Sequence, residues 1–432
     1  MKRVLMILLA GVFVANTAPA VDTNAVQTLT LAGAQALALK NHPQIAAANY
    51  RALAAQEALK ETRSGYFPNA NVYANAVGAD SEDARILAGG LNNPSIYNRA
   101  AGGLAVSQLI TDFGRTANLT ASSRFQAQAE NQNANATREQ VLLQVNISYF
   151  STLEAQAVLR VAQQTVDTRQ LLLDQVSLLA SNKLKSELDV SFARVAVQES
   201  ELLLQKAQND ADDAMTSLST ALGYREPRPF QLAESSPFVL ANTNDVSQLV
   251  ETALAERPEL LSLRNEHDAA LRFAKSERDS RLPSVSAVGV AGAAPTHDSH
   301  LPDNYAAGGI QLSLPLFAGG FYVARQRTAE LKAQADNELV RALEDNIVRD
   351  VHIAWLNVNN ALEQLRTTEE LVQNAAEAYD LAEARYKIGS SSIVELSQAQ
   401  LSLTSAQIAD ANARYNVLIQ QANLDYQTGA LH

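Results

Sequence analysis

The chain has no cysteine among its 432 residues. That absence excludes disulfides, thiolate-held metals and a lipidated N-terminal Cys anchor. Its 18 glycines and 12 prolines are clustered, and neither residue occurs between Arg115 and Leu222. A stretch of that length without a helix breaker predicts very long helices. Positive charge is in deficit, 34 Lys and Arg against 46 Asp and Glu, for a formal charge of −12. Such a balance argues against a phosphate-backbone partner, hence no nucleic acid, and suits a wall or pore that disfavours anions. No G-x-S-x-G, P-loop, H-E-x-x-H or clustered catalytic pair appears, so neither an enzyme nor a cofactor is expected. His297 and His300 in "THDSH" have no third or fourth ligand within reach of sequence, and no metal site is expected there.

What is present begins with "MKRVLMILLAGVFVANTAPA". A Lys2-Arg3 start, an apolar core and Ala18-Pro19-Ala20 read as a secretory signal peptide over residues 1–20. Loss of Lys2 and Arg3 takes the charge from −12 to −14. No later run of about 18 apolar residues predicts a membrane-spanning helix.

The rest is written twice. "KNHPQI" aligns with "AERPEL" and "SGYFPN" with "DSRLPS" at an offset of 215, which places Pro43 on Pro258 and Pro68 on Pro283. Further along, Gly102 aligns with Gly308, "VNISYF" with "VHIAWL", Asp189 with Glu395 and Gly223 with Gly429, all at an offset of 206. The nine-residue difference falls in the charged, Gly-rich stretch "GADSEDARILAGGLNNPSIYNRAA", as an exposed loop should. The reading is therefore a first repeat over 21–223, a linker over 224–245 and a second repeat over 246–432. Each repeat runs helix, strand, strand, long helix, helix.

Arg115–Asn182 and Phe321–Ile388 each predict one helix of 68 residues, roughly 100 Å long. Leu31–Ser64 and Ser186–Leu222 predict helices about half that length, so two short ones laid end to end match one long one. Val145, Thr152, Leu159, Val166 and Leu173 recur every seven residues, as do Val351, Val358, Leu365, Val372, Tyr379 and Tyr386. That period implies left-handed coiled-coil packing. His352, beside this seam and near Trp355, reads as packed or lumen-facing.

Four uncharged segments, about 66–78, 101–111, 282–294 and 305–317, have the length of tilted strands that cross a bilayer. In the first, Ala70, Val72, Ala74 and Ala76 make an apolar face, and Asn69, Asn71, Tyr73 and Asn75 a polar one. Apolar outside and polar inside is the outer-membrane barrel pattern, and Tyr66, Phe67, Phe113, Phe317, Phe321 and Tyr322 fall where an interfacial girdle would sit. The competing reading is a soluble four-stranded sheet packed on a helix. Four strands cannot close a membrane barrel, so copies must pool them. Two copies give eight strands and three give twelve, and a conducting pore favours three.

In this order and duplicated, "KNHPQI" and "AERPEL", "GYFPN" and "SRLPS", "LITDFGRT" and "LPLFAGGF", and "ARYKIGSSSIVELSQAQ" resemble the TolC-like outer-membrane efflux proteins over the whole mature chain. The resemblance implies a membrane β-barrel of twelve strands shared by a homotrimer, continued by a long periplasmic α-helical coiled-coil tunnel, with the linker in its equatorial region. It implies residence in the outer membrane of a Gram-negative cell, in contact with its lipid. It also implies a passive exit duct that a periplasmic adaptor protein docks to an inner-membrane transporter. The competing class is a periplasmic coiled-coil rod or adaptor without a channel.

Carried over residue by residue, the resemblance puts the periplasmic gate on Tyr386, with Asp189 as its acidic partner and Glu395 as the constriction acid whose ring would favour cations. The basic gate position falls on Ser391 and the second acid on Gln398, so this chain lacks a charge-assisted partner there. The adaptor-gripped tip matches Ile388-Gly389-Ser390, whereas Asn182, Lys183 and Leu184 depart from it. Tyr386 also continues the seam, and Asp189 and Glu395 stand where an acid caps a helix.

Overall fold

The structure is a computed structural model and describes residues 28–77, 99–234, 245–296 and 302–431. The stretch read as a signal peptide, most of the first strand-to-strand loop, His297, His300 and residues 235–244 of the segment read as a linker lie outside the described residues.

Two helices of 67 residues, α3 (Arg115–Ser181) and α7 (Phe321–Lys387), form the frame. Each packs against a returning helix of 35 residues, α4 (Glu187–Ala221) on α3 and α8 (Ile393–Gln427) on α7. The other half of each long helix is covered from the N-terminal side. Here one expected helix is two, because the Leu31–Ser64 segment breaks into α1 (Leu31–Asn41) and α2 (Pro43–Ser64). Pro43 disfavours helical backbone at the residue before it, and His42 accordingly turns to ψ 124°. Arg257 does the same ahead of Pro258, separating α5 (Val246–Glu256) from α6 (Pro258–Asp279).

The seven-residue seams are where sequence put them. Val145, Thr152, Val351 and Val358 are fully buried, and Leu159, Val166, Leu173, Leu365, Val372 and Tyr379 are half-buried. A second column three residues on completes each seam: Ala162, Arg169 and Val176 on α3, Ala354, Ala361, Ala375 and Ala382 on α7.

The strands are β2 (Asn69–Val77), β3 (Arg99–Thr111), β5 (Ser284–Thr296) and β6 (Asn304–Ser313), in one antiparallel sheet of order β2-β3-β5-β6. Their bounds differ from the expected ones for local reasons. Tyr66 and Phe67 are still held by turn bonds to Arg63 and Ser64, which delays β2 past Pro68. Pro315 has no N–H for a ladder, and β6 ends two residues before it. The repeats join through β3 and β5, where Leu104 faces Ala291 and Ala105 faces Val290. This leaves β2 and β6 as edges without a partner among the described residues.

A short parallel pair was not expected: β1 (Thr28–Leu29) with β4 (Gln231–Leu232), inside the segment read as a linker. The buried Tyr149 hydroxyl lies 2.9 Å from the Leu29 carbonyl oxygen and 2.7 Å from that of Ala233, tying this pair to α3. Around it Leu29, Val141, Val145, Phe150, Leu153, Leu218 and Leu222 form part of the largest core cluster among the described residues.

Candidate gate at the hairpin tips

At the far ends of the coiled coils the chain turns twice, between α3 and α4 and between α7 and α8. Both turns close alike. The N–H groups of Lys183 and Leu184 donate to the carbonyls of Ala180 and Leu179, and those of Gly389 and Ser390 to Tyr386 and Arg385. This pair of bonds satisfies the last carbonyls of a helix and needs a left-handed residue, supplied by Lys183 (φ 60°) and Gly389 (φ 75°). The two tips therefore share a backbone although only the second carries the glycine.

The hairpins meet just behind these turns in one small core: Val176 and Val190 from the first, Ala382, Tyr386, Ile393 and Leu396 from the second. Tyr386 is 7% exposed, and its hydroxyl has no hydrogen-bond partner among the described residues. Burial foremost, and then the charge of Asp189, push its phenol pKa upward.

Asp189 does not bond to Tyr386. Its Oδ2 accepts from the backbone N–H (3.0 Å) and the hydroxyl (2.8 Å) of Ser186, while its own N–H donates to Ser186 Oγ, a complete capping box. These bonds, the backbone one first, hold its carboxyl below the usual range. Glu395 likewise donates its N–H to Ser392 Oγ, but its longer side chain reaches Arg385 Nη1 at 2.9 Å. Both partners of that ion pair are about half exposed, so it contributes little to stability.

Ser391 has a buried hydroxyl with no partner among the described residues, and Gln398 is exposed. Outside the core, Leu178, Leu184, Leu188, Ile388 and Val394 are all more than half exposed, an apolar skin around the two tips. Sequence reasoning passed over Lys185 and Arg385. Lys185 Nζ sits 4.1 Å from the centre of the Tyr386 ring. The signal for it was its place one residue before a helix cap, opposite a seam aromatic.

At the other end of the helices the sheet presents the two faces expected. Val72, Ile310 and Leu312 are 80%, 75% and 67% exposed on one face. Phe67, Phe113, Phe317 and Phe321 stand exposed at the strand-to-helix corners.

Comparison with known proteins agrees with the fold. The outer membrane protein TolC of Escherichia coli is 25% identical over 393 residues, covering 88% of this chain and 78% of its own. The proteases secretion protein PrtF of Dickeya chrysanthemi is 24% identical over 440 residues, covering 94% and 89%. The crystal structure of the Campylobacter jejuni CmeC outer membrane channel superposes with a TM-score of 0.80 at 18% identity, over 93% of this chain and 85% of that one. The family described as outer membrane efflux protein matches residues 35–224 and 249–430, the two repeats almost entire, and the chain belongs to that family.

Proposed function

We propose that three copies of the chain assemble into an outer-membrane exit duct, pooling their strands into one twelve-stranded barrel continued by a tunnel of coiled coils into the periplasm. One observation supports this most: a four-stranded sheet with an exposed apolar face and two edges, β2 and β6, that are unpartnered among the described residues. Neither feature is tolerable in water or in lipid until another strand and a hydrocarbon phase cover them. The strands of three copies close the ring with an interior wider than side chains can fill.

In this reading the duct is passive and does no chemistry of its own. A periplasmic adaptor protein docks on the apolar tips, Ile388-Gly389-Ser390 and the matching turn at Lys183 and Leu184, and couples the duct to an inner-membrane transporter. The gate lies between the hairpins at Tyr386, with Asp189 and Ser391 beside it. Glu395 is the constriction acid, and its pair with Arg385 means that a ring of three would favour cations only when that arginine swings away.

Native mass spectrometry of the detergent-solubilised protein should show a trimer, and planar bilayers should show discrete conductance steps. A monomer without conductance overturns the reading and favours a periplasmic rod, which a high-salt wash would release from outer membranes.

A further inference from the structure

The structure assigns the cation of the closed gate: we propose that Lys185 holds the first hairpin on the second through the face of the Tyr386 ring, a proposal that rests on the duct reading above. An ammonium over an aromatic face is attracted by the ring's electron-rich centre, and more strongly where water is thinned out. Here Nζ is 4.1 Å from the ring centroid, Lys185 is half-buried, and the ring is packed in the core shared by both hairpins.

Three further observations point the same way. The hydroxyl of Tyr386 has no partner among the described residues, and the carboxylate whose charge acts on it, on Asp189, is occupied by Ser186. A hydroxyl-to-acid bond is therefore not what holds the ring. Next, the 206-residue offset that relates the two hairpins places Lys185 on Ser391. The Ser391 hydroxyl is buried without a hydrogen-bond partner among the described residues, so of these two equivalent places only the one on the first hairpin carries a positive charge. Finally, the acids nearby have partners of their own: Asp189, on which the Lys185 charge also acts, is capped by Ser186. In the groove that Lys185 and Tyr386 line, Glu383 is paired with Lys387 at 2.9 Å. The Arg385–Glu395 pair joins α7 to α8 inside the second hairpin and does not resist parting of the two hairpins.

Because the chain lacks cysteine, one introduced thiol reports the opening without background. With Val190→Cys in the shared core of the full-length protein, maleimide should react slowly. Adding Lys185→Met or Tyr386→Leu should raise the rate on the order of fivefold. Lys185→Arg, which keeps the charge, and Tyr386→Phe, which keeps the ring, should raise it less than twofold. Lys206→Met, on the exposed side of α4, controls for the loss of one positive charge, and equal melting temperatures exclude misfolding. If Lys185→Met leaves the rate unchanged, or if Tyr386→Phe raises it as much as Lys185→Met, the ammonium does not hold the ring and the proposal falls. The same variants in planar bilayers separate the two readings. Failure of the parent protein to conduct would sink the duct while the thiol result still decides the clamp.

Discussion

At the turn that ends α3, Lys183 holds φ 60°, and at the equivalent turn after α7 Gly389 holds φ 75°. At the corner where β3 enters α3, Phe113 and Gly114 have positive φ, and Gly319 and Gly320 have it 206 residues later. In the first repeat a capping acid, Asp189, folds back on its own serine, while in the second Glu395 leaves it for an arginine. A seam position is the buried Arg169 in one repeat and Ala375 in the other. The backbone has been kept in duplicate while the side chains on it have diverged. What the two repeats must share is thus a set of helix ends and corners, and what distinguishes them is the chemistry presented there.

The largest test of this comparison is at the other pair of helix ends. Gly223 (φ 83°) and Gly429 (φ 73°) each close a returning helix against the break in the preceding pair. A Cβ on Gly223 would stand 2.9 Å from the carbonyl carbon and oxygen of Asn41, whereas one on Gly429 would meet Arg257 N at 3.4 Å. Gly223→Ala should cost about 3 kcal/mol and Gly429→Ala about 1–2 kcal/mol, read from thermal midpoints. Equal losses would mean that the two junctions are packed alike.

The next test concerns charge at those junctions. In the first repeat His42 Nδ1 accepts the Gln44 N–H, and burial lowers the histidine pKa, in keeping with a neutral acceptor. The second repeat is charged. Arg257 donates to Gln427 and, at 3.4 Å, to Glu259, whose other oxygen accepts from the Tyr426 hydroxyl. Beside them Glu139 of α3 is 5% exposed, and burial first, then Glu259, push its carboxyl up to about 7, against Arg257 and Arg138. The folded protein then binds the Glu139 proton more tightly than the unfolded chain. Its contribution is fully present below about pH 4.5 and is lost as pH rises to 7. Glu139→Gln should flatten that decline, leaving the variant about 2 kcal/mol ahead of the parent at pH 8 in denaturation curves. Parallel curves at pH 5 and pH 8 would show that Glu139 does not titrate with folding.

The smallest effect should come from the tips. Lys183→Gly relieves left-handed backbone but adds freedom to the unfolded chain, a net gain of about 0.5 kcal/mol, whereas Gly389→Ala loses about 1 kcal/mol. If both substitutions destabilise equally, the lysine side chain has a contact that offsets its backbone strain.

The parts legible in the sequence were those with a period. The seven-residue seams and the alternating strands repeat over enough residues to declare themselves, and duplication doubled the signal. The β1–β4 pair is two residues long on each side and carries no period. Asp189 was ambiguous because the same acid at the same spacing suits a cap and a gate, and only geometry shows Ser186 taking it. Lys185 escaped because its partner depends on how one hairpin is rotated against the other, and Arg385 because its partner lies ten residues on, across the turn of its own hairpin.

The seam between β3 and β5 sets the order in which the molecule is made. Ala100 pairs with Thr296 and Thr111 with Val285, so the central contact of the sheet joins residues on the order of 180 apart in the chain. Where the stretch read as a signal peptide leads the chain across the inner membrane, β2 and β3 arrive long before β5. For that interval the β2–β3 pair has an apolar face and two open edges in an aqueous compartment, the condition under which strands aggregate. Export speed and a holding chaperone should therefore limit the yield of this protein more than its final stability does.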